Sequence, residues 1–316
     1  MLQLVLIGIG AGAATALLFA SVASGSLFAV LLFYLAPLPI LIAALGWSHW
    51  AALIAAVFAS AGLAAVFGPF LFMAFLVGIG LPAWWLGYLA LLARPTGEPA
   101  PNDTEWYPVG NLVVWAAIVG AIVVVAALIN FGMSEDGFRA ALRNGLERVL
   151  RLRTPNTPMP DLNRLLDFLV LALPPAAAVL TTITNVLNLW LAARIVAVSG
   201  RLKRPRPDLP AMQFPFYAPL LTGGALAASF LPGLIGTAGG VLAAAMLMAY
   251  ALLGFAVLHH ISRGIKGRIF LLGGAYAAVL VLGWPVLAMM LLGLTDTMLD
   301  LRGRVTRRRG PPQPGT

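Results

Sequence analysis

Residues 109–131 read VGNLVVWAAIVGAIVVVAALINF, 23 residues without a charged side chain. A helix of that length rises about 34 Å at ~1.5 Å per residue, enough to cross the ~30 Å hydrocarbon core of a bilayer. The run is too long and too continuously apolar for a barrel strand, which alternates polar and apolar positions. Trp106 and Tyr107 precede it, where aromatic rings favour the boundary between lipid and water.

Working outward, eight further apolar segments stand at 3–23, 27–46, 50–67, 70–93, 167–198, 214–231, 236–260 and 268–294. Whole-chain composition agrees: 61% of the 316 residues are hydrophobic and 10% charged, against ~25% charged in soluble proteins. Too few polar groups are present to cover a soluble domain, and disorder would require low hydrophobicity. The expected fold class is all-α: a polytopic transmembrane helix bundle of eight or nine membrane segments plus one amphipathic interfacial helix. It reads as a single integral-membrane domain over 1–316. Four N-terminal segments occupy 1–93, a Pro-rich and acidic connector 94–108, and the fifth segment 109–131. An amphipathic helix and linker fill 132–166, C-terminal segments 167–294 and a basic tail 295–316. The first segment is expected to be retained: Ser21-Val22-Ala23 has the small residues of a cleavage site, but no Lys or Arg precedes the apolar run.

Ser134-Glu135-Asp136 is suited to open a helix, with a capping hydroxyl followed by acids in the first turn. Phe138, Leu142, Leu146 and Val149 then form an apolar stripe, while Arg139, Arg143, Glu147 and Arg151 step along another face. Such a helix lies in the membrane interface or packs outside the membrane on the bundle. The stretch 161–198 exceeds one perpendicular span, so Leu162–Phe168 is expected to lie outside the bilayer and Pro174-Pro175 to bend the helix. Charge gives a conflicting topology. If all nine segments cross, the connections at 94–108, 199–213 and 261–268 carry eight Lys and Arg on one side, against eleven in 132–166 and the tail. One re-entrant segment changes this to 13 against 6, as the positive-inside tendency prefers. Residues 28–45, broken by Pro37 and Pro39, and the last segment, broken by Pro285, are the candidates.

Several chemistries are excluded. The chain has no cysteine, which removes disulfides, thiol catalysis and iron–sulfur ligation. No P-loop, H-E-x-x-H or G-x-S-x-G occurs. Gly8-Ile9-Gly10-Ala11-Gly12-Ala13 matches a dinucleotide-binding pattern, but the first acid is Glu98, far beyond the ribose-binding position. The histidines His49, His259 and His260 make no metal set, so neither cofactor nor metal is expected. Net charge of +9, with 19 of 20 basic residues after residue 130, reads as loops beside anionic headgroups and not as nucleic-acid binding.

Three sets of residues carry functional expectations. Gly8, Gly12, Ala16, Ala20 and Ser24 recur every four residues and give the first helix a small face, suited to close helix packing. It packs either within this chain or against a membrane subunit in trans. Thr181, Thr184, Asn185 and Asn188 share one face of the sixth segment. In lipid they must find hydrogen-bond partners, either on other helices or on a small-molecule ligand in a polar pocket. Arg201, Lys203, Arg204, Arg206, Arg263, Lys266 and Arg268 are placed at lipid headgroups. Asp296 and Asp300 precede the tail arginines at a spacing suited to pairing with Arg302 or Arg304.

Four stretches resemble the YybS-like family of uncharacterised bacterial integral-membrane proteins. They are Leu35-Ala36-Pro37-Leu38-Pro39, Asn188-Leu189-Trp190-Leu191-Ala192-Ala193-Arg194, Gly254-Phe255-Ala256-Val257-Leu258-His259 and Leu292-Gly293-Leu294-Thr295-Asp296-Thr297-Met298-Leu299-Asp300-Leu301-Arg302. That family is distantly similar to the S components of energy-coupling-factor vitamin transporters and to a rod-shape membrane protein. The resemblance implies that Gly8, Gly12, Ala16 and Ala20 dock on a coupling subunit, although an S component has about six helices and this chain has more. Together these features lead to the expectation of a non-enzymatic, multi-pass protein of the bacterial inner membrane. It would be a transporter-like small-molecule binding component dependent on partner subunits; the alternative is a membrane scaffold in cell-envelope assembly or division.

Overall fold

The computed structural model describes residues 1–97, 104–132, 134–153 and 159–309. Its helices are α1 (Leu2–Ala20), α2 (Leu27–Tyr34), α3 (Pro37–Gly46), α4 (His49–Phe67), α5 (Phe70–Phe75), α6 (Leu81–Ala90), α7 (Val109–Phe131), α8 (Glu135–Arg153), α9 (Met159–Val198), α10 (Ala218–Ala228), α11 (Gly233–Ile261), α12 (Arg268–Leu282), α13 (Val286–Leu299) and α14 (Leu301–Arg309). A two-stranded antiparallel ribbon, β1 (Ala93–Pro95) with β2 (Thr104–Trp106), precedes α7. The fold is an all-α bundle. Among the described residues, seven helical stretches are long and apolar enough to cross a membrane: Leu2–Ser24, Leu27–Gly46, His49–Phe67, Phe70–Ala90, Val109–Phe131, Asp161–Val198 and Gly233–Ile261.

Two of the nine expected segments take another form. The segment at 214–231 yields only α10, 11 residues long. The segment at 268–294 divides into α12 and α13, of 15 and 14 residues. Gly283 turns the chain with φ +74° and Pro285 lacks the N–H that would continue the helix. The second segment is also interrupted, between α2 and α3 before Pro37, and a π turn at Leu76–Gly80 joins α5 to α6. By contrast α9 runs 40 residues through Pro174 and Pro175, so residues 162–168 belong to the same continuous helix.

Small residues set the packing. Ala51, Ala52, Ala55, Ala56 and Ala59 of α4 are fully buried, and α1 lies on this row. A Cβ on Gly8 would strike the Ile54 side chain, and one on Gly12 the Ala55 carbonyl. Where α13 crosses α11, Gly254 and Gly293 leave no room for a Cβ against the backbone of Met289 and Tyr250. Close backbone approach of this kind supplies the dispersion contact that holds helices together in lipid. One core surrounds Tyr250, Met246 and Val114 of α11 and α7; another joins α3, α4 and α6 to Ala192 and Val196 of α9.

The amphipathic helix α8 turns the first part of its apolar stripe to the protein. Phe138 is fully buried and Leu142 and Leu146 are half-buried, while α8 packs on α7 and α9. Arg143 pairs with Asp167 of α9 and donates to Asn163 Oδ1 at 3.0 Å. α8 thus packs along α7 and α9, while Val149, at the far end of the stripe, is exposed.

Candidate functional site

The polar face of α9 meets the interruption between α2 and α3. Pro37 has no N–H, and the Leu38 N–H turns back to the Leu35 carbonyl at 3.0 Å. The Tyr34 carbonyl is left without a main-chain donor, and Asn188 Nδ2 supplies one at 2.8 Å while also donating to the Thr184 carbonyl at 2.8 Å. Asn188 is thus a side-chain cap for a broken membrane helix, which lipid cannot satisfy. Two buried polar atoms of this face have no partner: Asn188 Oδ1 at the joint and Asn185 Nδ2, about one turn before it on α9.

The four sequence candidates differ in burial. Thr184 is half-buried, and Thr181 is turned partly outward, its hydroxyl donating to the Ala177 carbonyl at 2.8 Å. The fully buried threonine is Thr182, unselected from the sequence, which donates to Ala178 O at 2.8 Å. It sits beneath Gly120, where α7 approaches α9. The inward face of α9 runs through Ala178, Thr182, Asn185, Asn188, Ala192 and Val196. Small Ala178 and Ala192 in phase with the asparagines were the signal for Thr182.

The small face of α1 also finds its partner within the chain. Gly8 and Gly12 pack on α4, and Ala16 and Ala20 join the cluster of Ala59, Leu63 and Phe75. Of the two alternatives for this face, packing within the chain is the arrangement these residues adopt. Ser24 lies outside it, exposed in a 3-10 turn with its hydroxyl 3.3 Å from that of Ser26.

Three of the seven basic residues expected at headgroups, Lys203, Arg204 and Arg268, donate to carbonyls at helix ends, whose last carbonyls lack intrahelical donors and carry partial negative charge. Arg204 donates to Tyr107 O at 2.8 Å and to Ala90 O at 3.5 Å, the latter at the end of α6. Burial pushes its guanidinium below the ordinary arginine value. Lys203 Nζ reaches the Trp47 carbonyl at 3.4 Å, and Arg201 stands 4.7 Å over the Trp47 ring. Arg263 forks onto Asp208 at 2.8 and 3.0 Å. Arg268 donates to Ser262 Oγ at 3.4 Å and to His259 O at 3.5 Å. Arg201, Lys203, Arg206, Arg263 and Lys266 are all exposed.

The tail closes onto the same end. Asp296 and Arg302 are 5% and 8% exposed. The Asp296 carboxylate accepts from the Arg302 backbone N–H at 3.0 Å and from Nε at 2.9 Å. The Arg302 guanidinium also donates to Pro210 O at 2.9 Å and Met212 O at 2.7 Å. Asp300, at φ 47°, reverses the chain between α13 and α14, and it accepts from Arg307 at 3.5 Å. Sequence reading passed over an aromatic group nearby: His49, Trp84, Trp85, Tyr88 and Trp115, with Trp85 and Trp115 edge-to-face at 5.5 Å. Its signal was the 84, 85, 88 spacing on α6.

Two clefts, of about 360 and 380 Å³, open beside the β-ribbon and between α8 and α9; neither includes a residue of the α9 polar face. Among the described residues, no group of three or more His, Cys, Asp or Glu is placed to hold a metal ion. No protein-family model, no curated protein and no solved structure matches the chain.

Proposed function

We propose that this chain is a non-enzymatic small-molecule binding component of transporter type in the bacterial inner membrane, working with partner subunits that supply energy. The observation that carries the reading is the unpartnered, buried Nδ2 of Asn185, about one turn along α9 from the Asn188 that caps the α2–α3 break. A buried amide donor without a partner forfeits on the order of 1–3 kcal/mol, and transporters place their ligands where membrane helices are interrupted. An acceptor on the ligand would satisfy Asn185 Nδ2 and a donor would satisfy Asn188 Oδ1. No charged side chain lies on the inward face of α9 between Ala178 and Val196, so the ligand class is a neutral polar molecule. Membership of the YybS-like group is part of the same proposal and rests on the four stretches quoted above.

The test is a thermal-stabilisation screen of the purified, detergent-solubilised protein against neutral polar metabolites. A ligand should raise the unfolding temperature of the native protein and not that of Asn185→Ala. No shift across a broad panel would count against the reading.

A scaffold role in envelope assembly is the second reading. It is favoured by α12, which has no buried residue and exposes Ile269, Phe270, Leu280 and Val281. Loss of a co-purifying membrane protein on Phe270→Ser with Leu280→Ser would support it; a native yield of that protein would oppose it.

A further inference from the structure

We infer that the last apolar segment enters the membrane and returns to the face it left, so that the two ends of the described chain share one face, and that this face meets the anionic cytoplasmic leaflet. The inference is independent of the ligand proposal.

The contacts fix which connections share an end of the bundle. Lys203 and Arg201 hold the α3–α4 turn at Trp47, and Arg204 holds Ala90 and Tyr107 on either side of the β-ribbon. Arg263, just past the end of α11, is held by Asp208. Arg302, just past the end of α13, is held by Pro210 and Met212, and His260 lies 3.5 Å from Thr306. The chain therefore leaves this end after α11 and is back at it after α13. The start of α1 belongs here too: Gly8 packs beside Ala51 and Ile54, and Gly12 beside Ala55 and Phe58, so α1 runs parallel to α4. The opposite end is marked by Gly233 of α11, where a Cβ would stand 4.0 Å from the Glu135 carboxylate of α8.

Length agrees. Helices of 15 and 14 residues rise about 22 and 21 Å, short of a ~30 Å core. Gly293 crosses α11 at Tyr250 and Gly254. From there the tip at Gly283 is about 15 Å away along α13, whereas Gly233 is about 26 Å from Tyr250 along α11. The tip thus stops roughly 10 Å short of the far end. Irregular backbone at membrane depth must satisfy its own donors, and this tip does so. Gly283 N–H bonds to Val279 O at 3.0 Å, Trp284 to Leu282 O at 2.9 Å, Val286 to Gly283 O at 3.1 Å and Leu287 to Trp284 O at 3.0 Å, while Pro285 has no N–H.

The return resolves the charge conflict. By sequence, the connections and tail that meet at the Arg302 end hold 13 of the 20 Lys and Arg, against six in 132–166. Such an excess sets orientation toward the cytoplasm, whose leaflet is anionic. Exposed Arg206, Lys266 and Arg304 stand on this face.

Because the chain has no cysteine, single-cysteine variants report unambiguously to a membrane-impermeant maleimide. Lys266→Cys and Arg304→Cys should label in inverted vesicles and stay unlabelled in intact spheroplasts. Asn144→Cys, exposed on α8, should show the reverse. Trp284→Cys should label only after detergent is added. Lys266→Cys and Arg304→Cys on opposite faces, or Trp284→Cys reacting from the Asn144 face, would overturn the return. Lys266→Cys labelled from outside the cell would overturn the assignment of the face. Arg206→Cys repeats the measurement on a separate connection if any variant fails to accumulate.

Discussion

Replacing Arg302 by Met tests the clamp that holds the tail to the bundle. The arginine is buried, pairs with a buried carboxylate, and also satisfies two carbonyls of the 209–212 turn. Forming such a pair gains little net energy, because desolvating both ions offsets their attraction. Removing one partner is different: it leaves Asp296 charged, buried and unpaired, which costs about 3–5 kcal/mol. The expected loss in Arg302→Met is therefore in that range, read from equilibrium unfolding in mixed micelles. A second variant separates the ion pair from the carbonyl contacts. Combining Arg302→Met with Asp296→Leu removes the stranded carboxylate, and the two changes should be coupled by about 0.5–3 kcal/mol. The double variant should then be less impaired than the two singles predict together, though it still leaves the Pro210 and Met212 carbonyls unpaired. A loss under about 0.5 kcal/mol for the single variant, the size of an ordinary surface substitution, would refute the reasoning. Strict additivity in the double variant would also refute it.

Two further predictions concern the joints of the bundle. Gly12→Ala should destabilise, because its Cβ would stand 2.7 Å from the Ala55 carbonyl. Gly10→Ala, with nothing within 4 Å, should be neutral or stabilising by up to about 1 kcal/mol from helix propensity alone; the same unfolding titration compares them, and equal losses would remove α1 from the α4 surface. Asn188→Ala should cost about 1–3 kcal/mol by leaving the Tyr34 carbonyl unpaired, while Asn185→Ala, whose Nδ2 has no partner to lose, should leave the unliganded protein near native stability.

The sequence was most informative where one helix suffices to settle the matter. Residues 109–131 fold as the uninterrupted helix that their composition demands, Val109–Phe131. The four-residue repeat through Gly8, Gly12, Ala16 and Ala20 does mark a packing face. Which partner it meets was not legible, because the complementary row of Ala51, Ala55 and Ala59 lies on another helix and the match is a relation between two surfaces. Which apolar segments run as one unbroken helix was less legible, for a related reason. Hydropathy sums over a window, and the residues around Gly283 are as apolar as those of a crossing helix; only the combination of a positive φ with Pro285 turns them into a hairpin tip. The basic residues show the same limit. Charge is visible in sequence, but that Arg204 spends its guanidinium on Ala90 and Tyr107 depends on three connections converging. At α9, one residue of phase separated Thr181 from the buried Thr182.

On the proposed function, a polar molecule reaches Asn185, about one turn of α9 from the broken-helix joint that Asn188 caps. With no native cysteine, the direct measurement is the alkylation rate of Asn185→Cys by a small, membrane-permeant maleimide in native membranes, set against Ala52→Cys in the dry core between α3, α4 and α6. Thiols react as thiolates and so need water. If the joint admits small polar molecules, Asn185→Cys should be modified well before Ala52→Cys; equal inertness of the two positions would contradict the account.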